Sequence, residues 1–429
     1  ISVSLGGIPE SLPEGVDLVV MSPGISPWFG PAAALCLAAR KAGVPVAGEI
    51  ELFAEELAHL RETSGYAPKV IGITETTTTS LTAKIGEAAG LRTIAAGNIG
   101  PNAVTELLKA EDAGELPDLW VLELSSFQLD TTHTLRCDAA ALLNITEDHI
   151  NWHGSMEAYA AAKARIFSPD TVRVGNREDQ LALEWTKKGL KNPSLLRTFG
   201  ASKPARPGEF GLEMAAHASQ GLWLSSMDEM EVEILYLPES ELQIRGRHNA
   251  MNALAALALT GAVGVSQQAA IGTLRTYKGE PHRVELVCTV KGRDFIDDSK
   301  GTNVGAVAAA VTGLAAQGRR ILILLGGDGK GQDFAPLADV LKGRAASAAL
   351  IGKDADEIGR AAASAGVPNQ KFPTLEAAVD WLWSESREGD IILLSPACAS
   401  WDMFRDYAER SERFKAEAAR IRAREESEA

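Results

Sequence analysis

The sequence predicts an α/β protein of more than one domain. Short β-branched runs alternate with Ala-rich amphipathic stretches from residue 16 onward, the pattern of parallel strands joined by crossover helices. The chain has 429 residues, more than one hydrophobic core usually serves. Polar clusters also follow one apolar run after another, at the strand ends where open α/β sheets present ligand-binding groups.

A first strand pattern at 17–21 has no strand-helix pair before it, so the chain opens inside an α/β unit and its first domain, 1–66, reads as truncated. That unit ends near Arg61, and ETSGYAPK reads as a connector. A fresh strand at 69–74 enters a Thr-rich stretch and a helix over 77–89. Strands at 118–124 and 139–145 follow, then a helical segment at 159–167. From 202 to 241 the pattern is irregular and acidic, read as peripheral strands and loops away from the chemistry. Helices at 249–263 and 266–276 lead into YKGEPHR, a Gly- and Pro-bearing hinge that closes a second domain at 67–280. Strands at 284–288, 321–325, 348–351 and 390–394 alternate with helices in a third domain, 281–429, whose tail from Trp401 reads as a charged amphipathic helix.

Apolar residues make up 45% of the chain and charged residues 23%, the balance of a globular protein. No apolar run approaches the ~20 residues of a membrane span. A net charge of −15 disfavours a nucleic-acid partner, which needs a basic face. Cys36, Cys137, Cys288 and Cys398 lack paired or metal-finger spacing, and no basic-then-apolar targeting segment opens the chain, so a cytoplasmic location is expected.

Five strand ends carry candidate chemistry. Glu123 and LSSFQ follow Leu122, and NITEDH, from Asn144 to His149, follows Leu143. DDSKGTN follows Ile296, GGDGK follows Leu325, and SPACAS follows Leu394. Together they suggest an active site between domains. A carboxylate, a histidine and hydroxyls can hold Mg²⁺ bridging ATP phosphates, with Glu123 and His149 the obvious pair. Taken singly, Glu123 would pass for a solvated strand-end residue, His149 for a structural hydrogen-bond partner and Lys163 for a surface lysine.

The segments LELSSFQL, LLNITEDHINWHGSMEAYAAAKARIF, GRHNAMNALAA, PHRVE, DDSKGTN, LLGGDGKGQDF and LLSPACASWDMF together resemble the Mur ligases. Within that family the likeness is to the branch that adds D-glutamate to UDP-N-acetylmuramoyl-L-alanine, and it runs from about Ser22 to Phe414. The resemblance implies an incomplete Rossmann-like N-terminal domain that holds the UDP moiety. It further implies a central P-loop-type ATPase domain with a mostly parallel sheet, and a Rossmann-like C-terminal domain that brings the amino acid. Glu123 and His149 match metal-site residues, and Lys163 matches a lysine that the family carbamylates. Adding CO₂ turns a cation near Mg²⁺ into an anion, so repulsion becomes attraction. Two Mg²⁺ ions are implied.

Asn249 and Asn252 match adenine-contacting positions, where amides can read a base edge. Arg283 and Asp298 match phosphate and ribose contacts, and Lys300, Thr302, Lys330, Ser400 and Tyr407 match the cradle of the incoming amino acid. Asn98 and the Ser22-Pro23-Gly24 loop match contacts to the muramoyl substrate and its diphosphate, while the uracil contacts would lie before Ile1. The implied reaction makes an acyl phosphate from the substrate carboxylate and ATP, which the amine then opens. Mg²⁺ and Lys330 would offset charge there, and His149 would orient the amine. The implied protein acts as a monomer on UDP-N-acetylmuramoyl-L-alanine, D-glutamate and ATP, with no nucleic-acid or membrane partner.

One segment departs from the family. Its central domain opens with strand-GxTGTNGK[ST]T-helix, whose glycines and lysine wrap the phosphates. Here the sequence is Gly72-Ile73-Thr74-Glu75-Thr76-Thr77-Thr78-Thr79, without those glycines or the lysine. A carboxylate facing triphosphate is repulsive. Two readings stay open: loop residues missing from the chain as written, which is preferred, or a relative that has lost its ATP grip. The coding sequence across 74–79 separates them. In a full loop Thr76 would match the hydroxyl that binds Mg²⁺. The rivals are a Mur or folylpolyglutamate-type ligase with another amino acid and a non-catalytic UDP-muramoyl-binding relative. A dehydrogenase is rejected because no GxGxxG follows a strand.

Overall fold

The computed structural model describes residues 7–22, 24–146, 150–214, 221–244, 246–315 and 318–427. The chain divides into two compact units, one of Ile1–Leu242 with Ala250–Tyr277, the other of Gln243–Asn249 with Lys278–Ala429. The expected α/β class is borne out in both.

The first unit holds two sheets. β1 (Val19–Val20) and β2 (Val46–Ala47) form a short parallel pair. The second sheet contains β3 (Lys69–Ile73), β4 (Thr93–Gly97), β5 (Leu119–Glu123), β6 (Ala139–Leu142), β7 (Val172–Asn176), β8 (Leu196–Phe199), β9 (Glu209–Met214), β10 (Leu222–Met227) and β11 (Glu233–Pro238). Its order is β11-β10-β9-β8-β7-β6-β3-β5-β4, parallel from β4 through β9, with β10 and β11 added antiparallel. β9 to β11 give the irregular 202–241 stretch its place at one end of the sheet. β3, β5 and β6 are apolar almost throughout because helices cover both faces. Trp120, Leu122, Val70 and Ala140 pack with Ile50, Phe53 and Leu60 of the helix Glu49–Ser64. That helix ends at Gly65, which takes a left-handed conformation at φ 73°.

The second unit is built on β12 (Glu285–Val290), β13 (Arg293–Asp297), β14 (Ile321–Gly326), β15 (Ala345–Ile351), β16 (Asn369–Lys371) and β17 (Ile391–Leu394). The order is β12-β13-β17-β14-β15-β16, all parallel except the β12–β13 hairpin. Side chains alternate across the strands, so Ile321, Ile323, Leu325, Ile391 and Leu393 fill one core, and Leu322, Leu324, Ile392 and Leu394 fill the other. Burying each such side chain contributes about 1.5–3 kcal/mol. The tail helix runs over Tyr407–Ser427 and begins later than Trp401. Residues 401–406 instead form turns, with the amides of Met403 and Phe404 donating to Ser400 O and Asp406 accepting from the amide of Glu409. Among the described residues no helix is long and apolar enough to cross a membrane.

Candidate active site

In the first unit, parallel register sets Ala141, Ile73, Glu123 and Gly97 side by side at the carboxyl ends of β6, β3, β5 and β4. The polar residues that follow each strand therefore emerge at one edge of the sheet. Glu123 is buried there; the Asn98 side chain donates to its Oε1 at 2.7 Å, and the Asn98 amide donates to its carbonyl at 2.8 Å. Gly97 permits this approach, since at φ 94° a Cβ would run into the Glu123 carbonyl. Ser125 and Gln128 form a capping box just beyond, and His153 Nε2 lies 3.0 Å from Ser126 Oγ.

Lys163 sits in the last turn of the helix Met156–Ala164, which Ser155 caps. It is buried, and its Nζ donates to Asn144 O and Tyr159 Oη, both at 3.2 Å. The lysine thus ties its helix to the loop after β6. His149 and Pro23 lie outside the described residues. Ser22 and Gly24 are exposed in the loop after β1, where the Ile25 amide donates to Ser22 O at 3.0 Å.

Only Thr74 and Glu75 connect β3 to the helix Thr76–Ala88. Glu75 is the N-cap of that helix: its two carboxylate oxygens accept from the amides of Thr77 and Thr78, each at 2.8 Å. Its carbonyl accepts from Thr79 Oγ1 at 2.7 Å. Thr76 is buried in the first turn. The oxygen donors Glu123 and Thr76 suit Mg²⁺. A two-residue connection without glycine or lysine does not suit a triphosphate, because the amides that would hold phosphate already donate to a carboxylate.

Asn249 and Asn252 stand one turn apart on the helix Arg247–Ala262, Asn249 buried and Asn252 half-buried. In the second unit the carboxyl ends of β13 and β17 lie adjacent, with Asp297 opposite Leu394. Asp298 is buried and accepts from Ser395 Oγ at 2.6 Å. Burial pushes its carboxyl up to about 7, against the opposing pull of the Ser395 hydrogen bond and the Arg283 charge. Lys300 Nζ lies 5.4 Å from the centre of the Tyr407 ring, and Lys330 Nζ lies 4.4 Å from that of Trp401. Lys330 adopts φ 54°, and Gly327 beside it leaves no room for a Cβ against Ala399 O. The GGDGK and SPACAS loops meet there, at the Asp328–Ala399 bridge. Ser400 is buried and Thr302 half-buried.

Sequence reasoning missed a network behind these residues. His282 Nδ1 lies 3.0 Å from Asp297 Oδ2 and 2.8 Å from Ser411 Oγ, and the His282 ring meets Tyr407 edge-on at 5.7 Å. His282, Glu285 and Asp297 could together ligate a metal, but Lys415 Nζ sits 2.8 Å from Glu285 and 3.6 Å from Asp297 and supplies the positive charge itself. Arg410, fully buried, donates to Ser299 O at 3.0 Å and to Cys398 O at 3.1 Å, joining the two loops that carry Thr302 and Ser400. The polar positions of the PHRVE segment and the tail helix were the available signal.

Residues 75–260 match the Mur ligase middle domain, and residues 282–398 match the Mur ligase glutamate ligase domain. A UDP-N-acetylmuramoylalanine--D-glutamate ligase of Ralstonia nicotianae is 47% identical over 97% of this chain and 87% of its own length. The chain belongs to the Mur ligase family. A Burkholderia mallei ligase of the same name is 46% identical over 95% of this chain and 85% of its own. The Ralstonia match spans 442 residues, more than the 429 of this Mur ligase, so that relative has internal residues with no counterpart here. The fold is shared with the UDP-N-acetylmuramate-alanine ligase of Thermotoga maritima at TM-score 0.59 and 19% identity, covering 96% of this chain and 88% of that one. It is likewise shared with Escherichia coli FolC, solved with DHPP and ADP, at TM-score 0.61 and 18% identity, covering 87% of this chain and 93% of that one.

Proposed function

We propose that this Mur ligase adds D-glutamate to UDP-N-acetylmuramoyl-L-alanine at the expense of ATP, in peptidoglycan precursor synthesis. The observation that carries this is identity of 46–47% to D-glutamate ligases over nearly the whole chain. In this reading Ser22, Gly24 and Asn98 hold the UDP-linked substrate, and Asn249, Asn252, Arg283 and Asp298 hold the nucleotide. Lys300, Thr302, Lys330, Ser400 and Tyr407 receive the amino acid. The ring-supported cations of Lys300 and Lys330 suit its two carboxylates. Glu123, Thr76 and His149, with Lys163 as a carbamate, would hold two Mg²⁺ ions, which supply charge neutralisation when bound. Burial of Lys163 supports this reading, because an ammonium held away from water loses less on conversion to an anion beside a metal. The protein would act as a monomer in the cytoplasm.

Incubation with the UDP substrate, ATP and Mg²⁺, followed by mass analysis, tests the reading. A single-glutamate adduct formed from D-glutamate and not from L-glutamate or diaminopimelate supports it, and an adduct with another amino acid overturns it. One observation favours a second reading, a relative that binds the UDP-linked precursor without turning over ATP: Glu75 caps the helix on which the family holds phosphate.

A further inference from the structure

We infer that Glu75 is an internal occupant of the anion position at the start of the Thr76–Ala88 helix, so that a nucleoside triphosphate must displace it to bind there. A helix N-terminus offers unpaired amides and the positive end of the dipole, and a phosphate binds by accepting from those amides. Here the amides of Thr77 and Thr78 both donate to Glu75, one to each carboxylate oxygen. The Glu75 carbonyl also accepts from the Thr79 amide at 3.3 Å and from Thr79 Oγ1 at 2.7 Å, which fixes the residue by its backbone as well. The connection from Ile73 to Thr76 is two residues long and carries neither the glycines nor the lysine that would wrap a phosphate chain. An incoming phosphate therefore meets a like charge and two amides that already donate to it. The identity of the excluded ligand rests on the ligase reading, whereas the occupancy by Glu75 does not.

Calorimetric titration of the full chain with MgATP, and separately with inorganic pyrophosphate, tests this on wild type, Glu75→Ser and Glu75→Asp. Serine keeps a neutral cap and aspartate keeps an anionic one, so both variants retain a helix start. Glu75→Ser is expected to bind both probes roughly tenfold more tightly than wild type, the scale set by one like charge at a helix end, while Glu75→Asp stays within about twofold of it. Equal affinities in the three proteins, including no detectable binding by any, would overturn the inference. Titration of the same samples with UDP-N-acetylmuramoyl-L-alanine separates the two ideas: absence of that binding counts against the ligase reading alone.

Discussion

Asn98 is joined to Glu123 twice, by its side chain to the carboxylate at 2.7 Å and by its backbone amide to the carbonyl at 2.8 Å. The double link holds a buried carboxylate at the sheet edge, aimed by a neighbouring strand and not by its own rotamer alone. Asn98→Ala leaves that carboxylate with one donor fewer, and a loss of about 1–3 kcal/mol of stability is expected from the urea midpoint. Asn98→Asp should cost more than Asn98→Ala, because it sets a second negative charge against the first. Equal midpoints for wild type and Asn98→Asp would show that the contact does not hold Glu123.

The Glu75 cap has a stability consequence separate from any ligand. Glu75→Ala removes the acceptor of two amides and should cost about 1–2 kcal/mol, while Glu75→Asp should retain most of it. Denaturant unfolding of the two variants checks the order.

Asp298 makes stability depend on pH in an unusual direction. Its carboxyl is raised to about 7, chiefly by burial, so between about 4 and 7 the folded chain binds a proton that the unfolded chain has released. Its contribution is therefore fully present below about 4 and is lost as pH rises through about 7. Asp298→Asn cannot titrate, so its stability relative to wild type should rise from pH 5 to pH 8, read as a difference in urea midpoints at about equal m-value. A difference that is flat with pH, or that falls, would remove the assignment.

Lys163 offers a spectroscopic test. If its buried amine carries CO₂, protein incubated with ¹³C-bicarbonate should give a carbamate carbon signal that Lys163→Met lacks. Lys163→Met should also lose product formation by roughly 100-fold while still binding the UDP-linked substrate. An unlabelled wild type would leave the lysine as a tie between its helix and Asn144 O.

The strand ends were legible in the sequence because apolar runs bounded by polar clusters mark a buried parallel sheet: β3, β5, β6, β14 and β17 all lie where the pattern placed them. β16, Asn369–Lys371, gave no signal, since an edge strand of polar residues has no burial pattern. β13 begins with Arg293 and Asp294, and the charges hid all but its apolar end. Side-chain partnerships across long separations were beyond reach. Ser395 meets Asp298 across 97 residues and Ser411 meets His282 across 129, and only the register of β13 against β17 and the docking of the tail helix bring them together. Glu75 was legible as an intruder in the phosphate loop. Its role as a cap was not, because that depends on the helix starting at the very next residue.

The most direct test of the ligase account is phosphate release by the purified protein with ATP at several concentrations, Mg²⁺, UDP-N-acetylmuramoyl-L-alanine and D-glutamate, each omitted in turn. Release that requires all four is expected, at ATP concentrations that fall in Glu75→Ser. No release at any ATP concentration, from folded protein that still binds the UDP-linked substrate, would contradict it and leave the non-catalytic binding relative as the function.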